Sequence, residues 1–153
     1  MSKSIDFQKV SVHQGPDSSP GFLLWRVSTS WRRAIERVLK NLDLTHPQFV
    51  ILATLGWLTR ENSPASQASV GKIAGLDPNT TSQIINGLEK KELLLRETSS
   101  DGRVKNPFLT KKGKKVLSKA IPAVETEDEH FFKSLSKNEI FSLLSIFKTL
   151  PYD

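Results

Sequence analysis

The sequence predicts a mainly α-helical chain with one small β-hairpin, and three observations lead there. Apolar residues recur at helical spacing through Phe22, Val27, Trp31, Ile35, Leu39 and Leu42, and again through Ile140, Leu143, Leu144 and Phe147. Five positions, Ser19, Thr45, Ser66, Asp77 and Ser136, are suited to cap the helices that follow them. Leu93 to Thr98 and Val104 to Leu109 have strand character, and Asp101-Gly102 between them favours a tight hairpin turn.

Residues 1–18 are polar and run into Gly15-Pro16-Asp17-Ser18-Ser19-Pro20, so a loose arm is expected. Ser19, with Pro20 behind it, starts a long amphipathic helix over about 20–42, whose polar side holds Arg26, Arg32, Arg33, Glu36, Arg37 and Lys40. Thr45 and Gln48 form a capping box, with Leu44 and Phe49 as its hydrophobic staple. That helix continues through Ile51, Leu55 and Leu58, and residues 61–65 form a loop. Ser66 caps a short helix that carries Val70, Ile73 and Ala74 and stops at Gly75. Asp77 caps the next, placing its negative charge at the positive end of the helix dipole. Thr81, Ile84, Ile85 and Leu88 mark one side of this second helix; Asn79, Thr80, Ser82, Gln83, Asn86 and Lys90 mark the other. In the hairpin, Pro107 indicates an edge strand. Helical character returns after Thr110, and Pro122 should kink or break it. Ser136 and Glu139 form a second capping box, stapled by Leu135 and Ile140, for a last helix ending near Leu150. The expected organisation is an arm over 1–18 and one domain over 19–153. Its core spans about 44–113, with flanking helices over 20–42 and 114–150.

The chain has 153 residues and no cysteine, which excludes disulfides, thiolate metal sites and a thiol redox switch. No apolar run approaches the ~18 residues a membrane span requires, and the polar Met1–Asp6 segment has no signal-peptide core. A cytoplasmic location is expected. The net charge of +6 is uneven: eleven Lys or Arg face six acids between Arg60 and Lys115, while the residues beyond carry a net negative charge. A basic middle indicates a polyanionic partner.

That middle has the order short helix, glycine-containing turn, helix, hairpin. Such an order is a helix-turn-helix with a wing. Gly71 and Ala74 supply small residues where the two helices would cross. The second helix offers short polar groups rather than long acids, as a helix entering the major groove needs. Asn79, Thr80, Thr81, Gln83 and Asn86 are therefore candidate DNA contacts. Arg103 at the hairpin tip can enter a minor groove, and Lys105 and Lys111 can meet phosphates, with Lys112, Lys114 and Lys115 close behind.

The segment from Leu44 to Gly113 resembles the MarR family of bacterial transcriptional regulators. The resemblance rests on Leu44-Thr45…Gln48…Leu52, Val70-Gly71…Gly75-Leu76, Thr80 to Ile85, Leu88-Glu89-Lys90-Lys91…Leu93…Arg96, and above all Asp101-Gly102-Arg103…Leu109-Thr110…Gly113. It implies a mainly α winged helix-turn-helix core, with terminal dimerisation helices that make a homodimer on pseudo-palindromic double-stranded DNA, usually as a repressor. It also implies that Arg103 is the minor-groove arginine and that Asp101 orients arginine side chains around the wing, whose turn Gly102 shares. The chain departs from the family pattern at Gln83, where arginine is common, at Gly102, often arginine, and at Glu92, usually glycine.

Other candidates are thinner. His46, Trp31 and Trp57 are candidate walls of a pocket for a small aromatic or amphipathic effector. His13, His46 and His130 make no metal-spaced pair, and no catalytic constellation or cofactor motif stands out, so no metal, cofactor or enzymatic activity is expected. The alternative function is a winged helix that binds protein rather than DNA. It would require an apolar outer face on the second helix, where this chain has Asn, Thr and Gln.

Overall fold

A computed structural model describes residues 4–98, 102 and 105–151, with Lys105 as backbone only. The elements are α1 (Phe7–Val10), a 3-10 turn (Pro16–Ser18), α2 (Pro20–Lys40), α3 (His46–Leu58), α4 (Gln67–Ala74), α5 (Pro78–Lys90), β1 (Leu94–Thr98), β2 (Lys105–Leu109), α6 (Lys111–Phe131) and α7 (Lys137–Thr149). The fold is mainly α with a two-stranded antiparallel sheet, as the sequence predicts. The chain divides into two compact units, residues 1–33 and 34–153. The division falls inside α2 rather than at residue 18, where the sequence sets the edge of the arm.

In the first unit the expected loose arm contains one helical turn, α1, and the 3-10 turn, held by the Ser18 N–H donating to the Gly15 carbonyl at 3.1 Å. Ser19 caps α2 by accepting from the Phe22 N–H at 3.3 Å. Phe22, Leu23, Leu24, Trp25 and Val27 are exposed on that helix.

The second unit is built around α3, apolar on nearly all sides as a central helix must be. It touches α4, α5, α6 and β2. Its fully buried Ile51, Leu52 and Leu55 join Ile35, Leu39, Val70, Ile85, Leu88 and Leu94 in the core. The Thr45–Gln48 box caps α3, and the Ser136–Glu139 box caps α7. Among the described residues, α7 leaves Phe141, Leu144, Ile146 and Phe147 exposed, and Leu150 just after it is exposed too.

Three helix ends share one geometry. After α2, α4 and α5 the chain turns through a left-handed residue: Asp43 (φ 53°), Gly75 (φ 67°) and Glu92 (φ 59°). At each, the next N–H reaches back five residues, Leu44 to Leu39, Leu76 to Gly71 and Leu93 to Leu88, at 3.0–3.2 Å. This is the Schellman arrangement. Glu92 thus keeps the turn that glycine makes in the family pattern, with a Cβ in a region costing ~1–2 kcal/mol for an L-residue.

Pro122 does not break its helix: α6 runs from Lys111 to Phe131 across it. Proline removes the hydrogen bond to the Ser118 carbonyl, and Ser118 is exposed, so water can replace the lost donor. Buried Leu117, Ala120 and Val124 anchor the helix on both sides of the proline.

Candidate nucleic-acid interface

The two helices α4 and α5 meet at Gly71. A Cβ there would lie 2.5 Å from the Thr81 Oγ1 and 3.1 Å from its Cγ2, so the crossing admits only glycine without movement. Thr81 is 1% exposed and donates its hydroxyl to the Asp77 carbonyl at 2.8 Å. This corrects its assignment as a DNA contact. It shares the i, i+4, i+7 stripe of Ile85 and Leu88, and that stripe faces the core.

The opposite stripe, Asn79, Gln83 and Asn86, is exposed. Thr80 is half-buried and bound to the helix cap: its N–H and hydroxyl donate to the two Asp77 carboxylate oxygens at 3.0 and 2.5 Å. Its hydroxyl proton is therefore engaged, leaving an acceptor oxygen and a methyl group for any outside partner. Hydrogen bonds from the Thr80 hydroxyl and then its N–H hold the Asp77 carboxyl below its ordinary pKa of 3.8. Asn86 is also engaged. Its carbonyl accepts from Arg96 Nη2 at 2.5 Å, which leaves its NH2 as the group for a further partner. A guanidinium only donates, so the amide oxygen must be the atom facing it.

Arg96 is the residue that reading by motif undervalued. From the middle of β1 it donates through Nη2 to Asn86 and Glu89 on α5, and through Nη1 to Gln67 at the start of α4 at 3.3 Å. Its side chain is 16% exposed. The signal was present as a glutamate and an arginine of opposite charge seven residues apart across a helix-to-strand turn. No single motif contains Gln67.

The wing is β1 paired with β2 in the register Leu94↔Leu109 to Thr98↔Lys105, with Pro107 opposite Arg96. Gly102 has φ 72°, as a hairpin turn there requires. Asp101, Arg103 and the Lys105 side chain lie outside the described residues. The wing base is locked to α6 by Thr110, which caps α6 by accepting from the Gly113 N–H at 2.9 Å. The Thr110 hydroxyl donates to the Glu92 carbonyl at 2.7 Å, and its N–H donates to the Leu93 carbonyl at 3.2 Å. A Cβ on Gly113 would lie 1.8 Å from the Leu93 carbonyl oxygen, which explains the glycine three residues after Thr110.

Beyond the wing, Lys111, Lys114 and Lys115 are exposed. Lys112 instead turns back, donating to the Lys91 carbonyl at 2.8 Å and sitting 3.5 Å from the Glu92 carboxylate. It covers the negative end of the α5 dipole. Lys91 in turn donates to the Asp43 carbonyl and to Gln48 Oε1, joining the end of α5 to the α2–α3 corner.

A cavity of about 910 Å³ opens between α3, β2 and α6, with Trp57, Arg60, Glu97, Phe108, Lys114 and Leu117 in its wall. The Arg60 guanidinium stacks 3.8 Å from the Trp57 ring centroid. Of the three residues assigned to a pocket from sequence, Trp57 lines this cavity while His46 and Trp31 do not. His46 is buried at the first position of α3, and Trp31 belongs to the first unit. Residues far apart in sequence decide a cavity wall, and helical periodicity alone cannot group them.

Comparison with known proteins agrees with this architecture. The MarR family model matches residues 44–105. The uncharacterized HTH-type transcriptional regulator YdcH of Bacillus subtilis is 33% identical over 132 residues, covering 86% of this chain and 90% of that protein. Among solved structures, Bordetella bronchiseptica BpsR, whose DNA binding is regulated by 6-hydroxynicotinic acid, superposes with a TM-score of 0.80 at 21% identity, covering 92% of this chain and 100% of that one. S. aureus MepR, solved as a DNA complex, superposes with a TM-score of 0.74 at 21% identity, covering 88% and 95%. Among the described residues no helix is long and apolar enough to cross a membrane. The chain belongs to the MarR family of winged helix-turn-helix transcriptional regulators.

Proposed function

We propose that this chain is a repressor that binds a pseudo-palindromic duplex as a homodimer in the cytoplasm and is released by a small effector. The observation that carries the DNA reading is the exposed polar stripe of α5, backed by a buried apolar stripe and followed by exposed lysines. Asn79, Thr80 and Gln83 would meet base edges, and Asn86 would offer its amide NH2. Arg103 would enter the minor groove, Asp101 and Gly102 would shape the turn that presents it, and Lys105 and Lys111 would neutralise phosphates. The MepR–DNA complex supports this use of the fold.

A second copy of the chain is the partner proposed for the exposed apolar residues of α2 and α7, such as Trp25, Leu144 and Phe147. Two recognition helices would then stand roughly 34 Å apart, one turn of DNA. The cavity beside β2 and α6 is the proposed effector site. Trp57 offers an aromatic wall, and Arg60 and Lys114 offer cations for an acidic group, in keeping with the acid that regulates BpsR.

The test is duplex binding across a salt series, with wild type and Arg103→Ala. Affinity should fall steeply with salt because each neutralised phosphate releases counterions. Arg103→Ala should weaken binding to a duplex enriched from a random library without altering dimerisation. Absent binding at low salt would overturn the DNA reading and favour a protein-interaction role.

A further inference from the structure

We propose that Arg96 is a positioning residue that sets the direction of the wing relative to the recognition helix α5. The proposal rests on the DNA-binding reading above. It starts from the weakness of the wing itself. A two-stranded ribbon is marginally stable alone, and opposite Arg96 its ladder holds Pro107, which has no N–H to give. Something outside the ribbon must orient it.

One guanidinium reaches three acceptors on two helices. Asn86 and Glu89 are one turn apart on α5, and Gln67 opens α4. Both helices of the helix-turn-helix are thus tied to the middle of β1. The planar fork of arginine suits this task, because it directs several donors at once in fixed directions; a lysine would present a point charge on a flexible stem. The Glu89 carboxylate is 26% exposed and the Arg96 side chain 16%, so solvent screens this pair less than a surface ion pair. Arg96 is too enclosed, and too fully engaged, to serve as a phosphate contact itself.

The functional consequence is leverage. Gly102 lies six residues past Arg96, at most about 20 Å along a strand rising ~3.3 Å per residue. A swing of about 10° at Arg96 would move such a tip by about 3.5 Å, enough to lose a hydrogen bond to a phosphate or a groove edge. The clamp therefore acts on DNA through Arg103 and Lys105 rather than by touching it.

The experiment measures binding to a duplex enriched by the wild-type protein from a random-sequence library, over a salt series, for Arg96→Met, Glu89→Gln, Arg103→Ala and the Arg96→Met/Arg103→Ala double variant. Arg96→Met should lose affinity at least tenfold and show a salt slope shallower by about one or two phosphate contacts. Glu89→Gln should shift both in the same direction, though it leaves the Arg96 charge in place. Adding Arg103→Ala to Arg96→Met should cost much less than Arg103→Ala costs alone. A role confined to stability would reduce the active fraction and leave the slope unchanged. A wild-type slope in both Arg96→Met and Glu89→Gln, or full additivity in the double variant, would overturn the proposal. If Arg96→Met does not fold, Glu89→Gln and Asn86→Ala carry the same slope test. A wild type that binds no duplex would instead overturn the DNA reading on which the clamp rests.

Discussion

Replacing Gly113 with alanine should cost this protein a large share of its stability, although the change adds one methyl group to a helix. The new Cβ would sit 1.8 Å from the Leu93 carbonyl oxygen and 2.8 Å from its carbonyl carbon. Both obstacles are backbone, so no side-chain rotation relieves them. Restoring ordinary contact requires α6 and the start of the wing to separate by more than an ångström. That movement breaks the Thr110 N–H bond to Leu93 and strains the Thr110 hydroxyl bonds to Glu92 and Leu93. Two or three hydrogen bonds at ~1 kcal/mol each, with ~1–3 kcal/mol for overpacking, give a loss of about 3–6 kcal/mol. Domains of this kind are stable by only ~5–15 kcal/mol in total. For a chain of this length, at roughly 2–4 °C per kcal/mol, the loss corresponds to a fall in Tm of about 6 °C or more. Thermal unfolding followed by circular dichroism, with urea titration as a second measure, reads it directly. A Gly113→Ala protein that melts within about 3 °C of wild type would refute the close approach of α6 to Leu93.

Glu92→Gly should raise stability by about 0.5–1 kcal/mol, because relief of the left-handed φ outweighs loss of an exposed 3.5 Å ion pair to Lys112; an unchanged or lower urea midpoint would count against the strain. The Asp77 carboxyl is held below 3.8 in the folded state, so its contribution is complete above that pH and is lost as pH falls through the folded value. Asp77→Asn keeps a capping side chain without the titration, so its stability relative to wild type should rise as pH drops below about 4; parallel pH profiles would contradict the sign. Gly71→Ala should destabilise by about 1–3 kcal/mol, and Thr81→Ala should recover part of that loss in the double variant, since Thr81 is the obstacle; strict additivity would mean the two helices do not meet there. Leu144→Asp with Phe147→Asp should shift the protein toward monomer in sedimentation velocity while leaving helical content near wild type, and an unchanged oligomeric state would remove α7 from the proposed dimer.

Most helix starts were legible because a cap is a local event. Thr45 with Gln48, Ser136 with Glu139, and Asp77 with the Thr80 N–H are decided within four residues, and the chain carries them wherever it goes. The hairpin was legible for the same reason. Pro122 does not break its helix because the penalty of a helical proline depends on what lies around it. Here Ser118 is exposed and buried residues anchor the helix on both sides of the proline, and neither is visible in a window of sequence. The left-handed corners at Asp43 and Glu92 were equally hard to see: only Gly75 carries the residue that usually announces such a turn.

At the interface, periodicity carried more information than residue type. Threonine at position 81 looks chemically suited to DNA, yet its spacing to Ile85 and Leu88 assigns it to the core, and the structure follows the spacing. Residue type alone also leaves out that the Asn86 amide oxygen is engaged by Arg96, so its NH2 is the group left for a base edge. The outward stripe of α5 is uncharged (Asn79, Gln83 and Asn86), with Lys90 near the helix end, while the exposed cations Lys111, Lys114 and Lys115 lie on α6. In the proposed mechanism, base preference and electrostatic affinity therefore sit on different elements. Their relative placement is a matter of geometry: the Leu93–Gly113 approach joins the start of the wing to α6, and Arg96 joins the wing to α5. Base contacts from α5 and phosphate contacts from α6 can be made together only while both joints hold. In that mechanism the residues that would bear most on DNA binding include two, Arg96 and Gly113, that have no need to touch it.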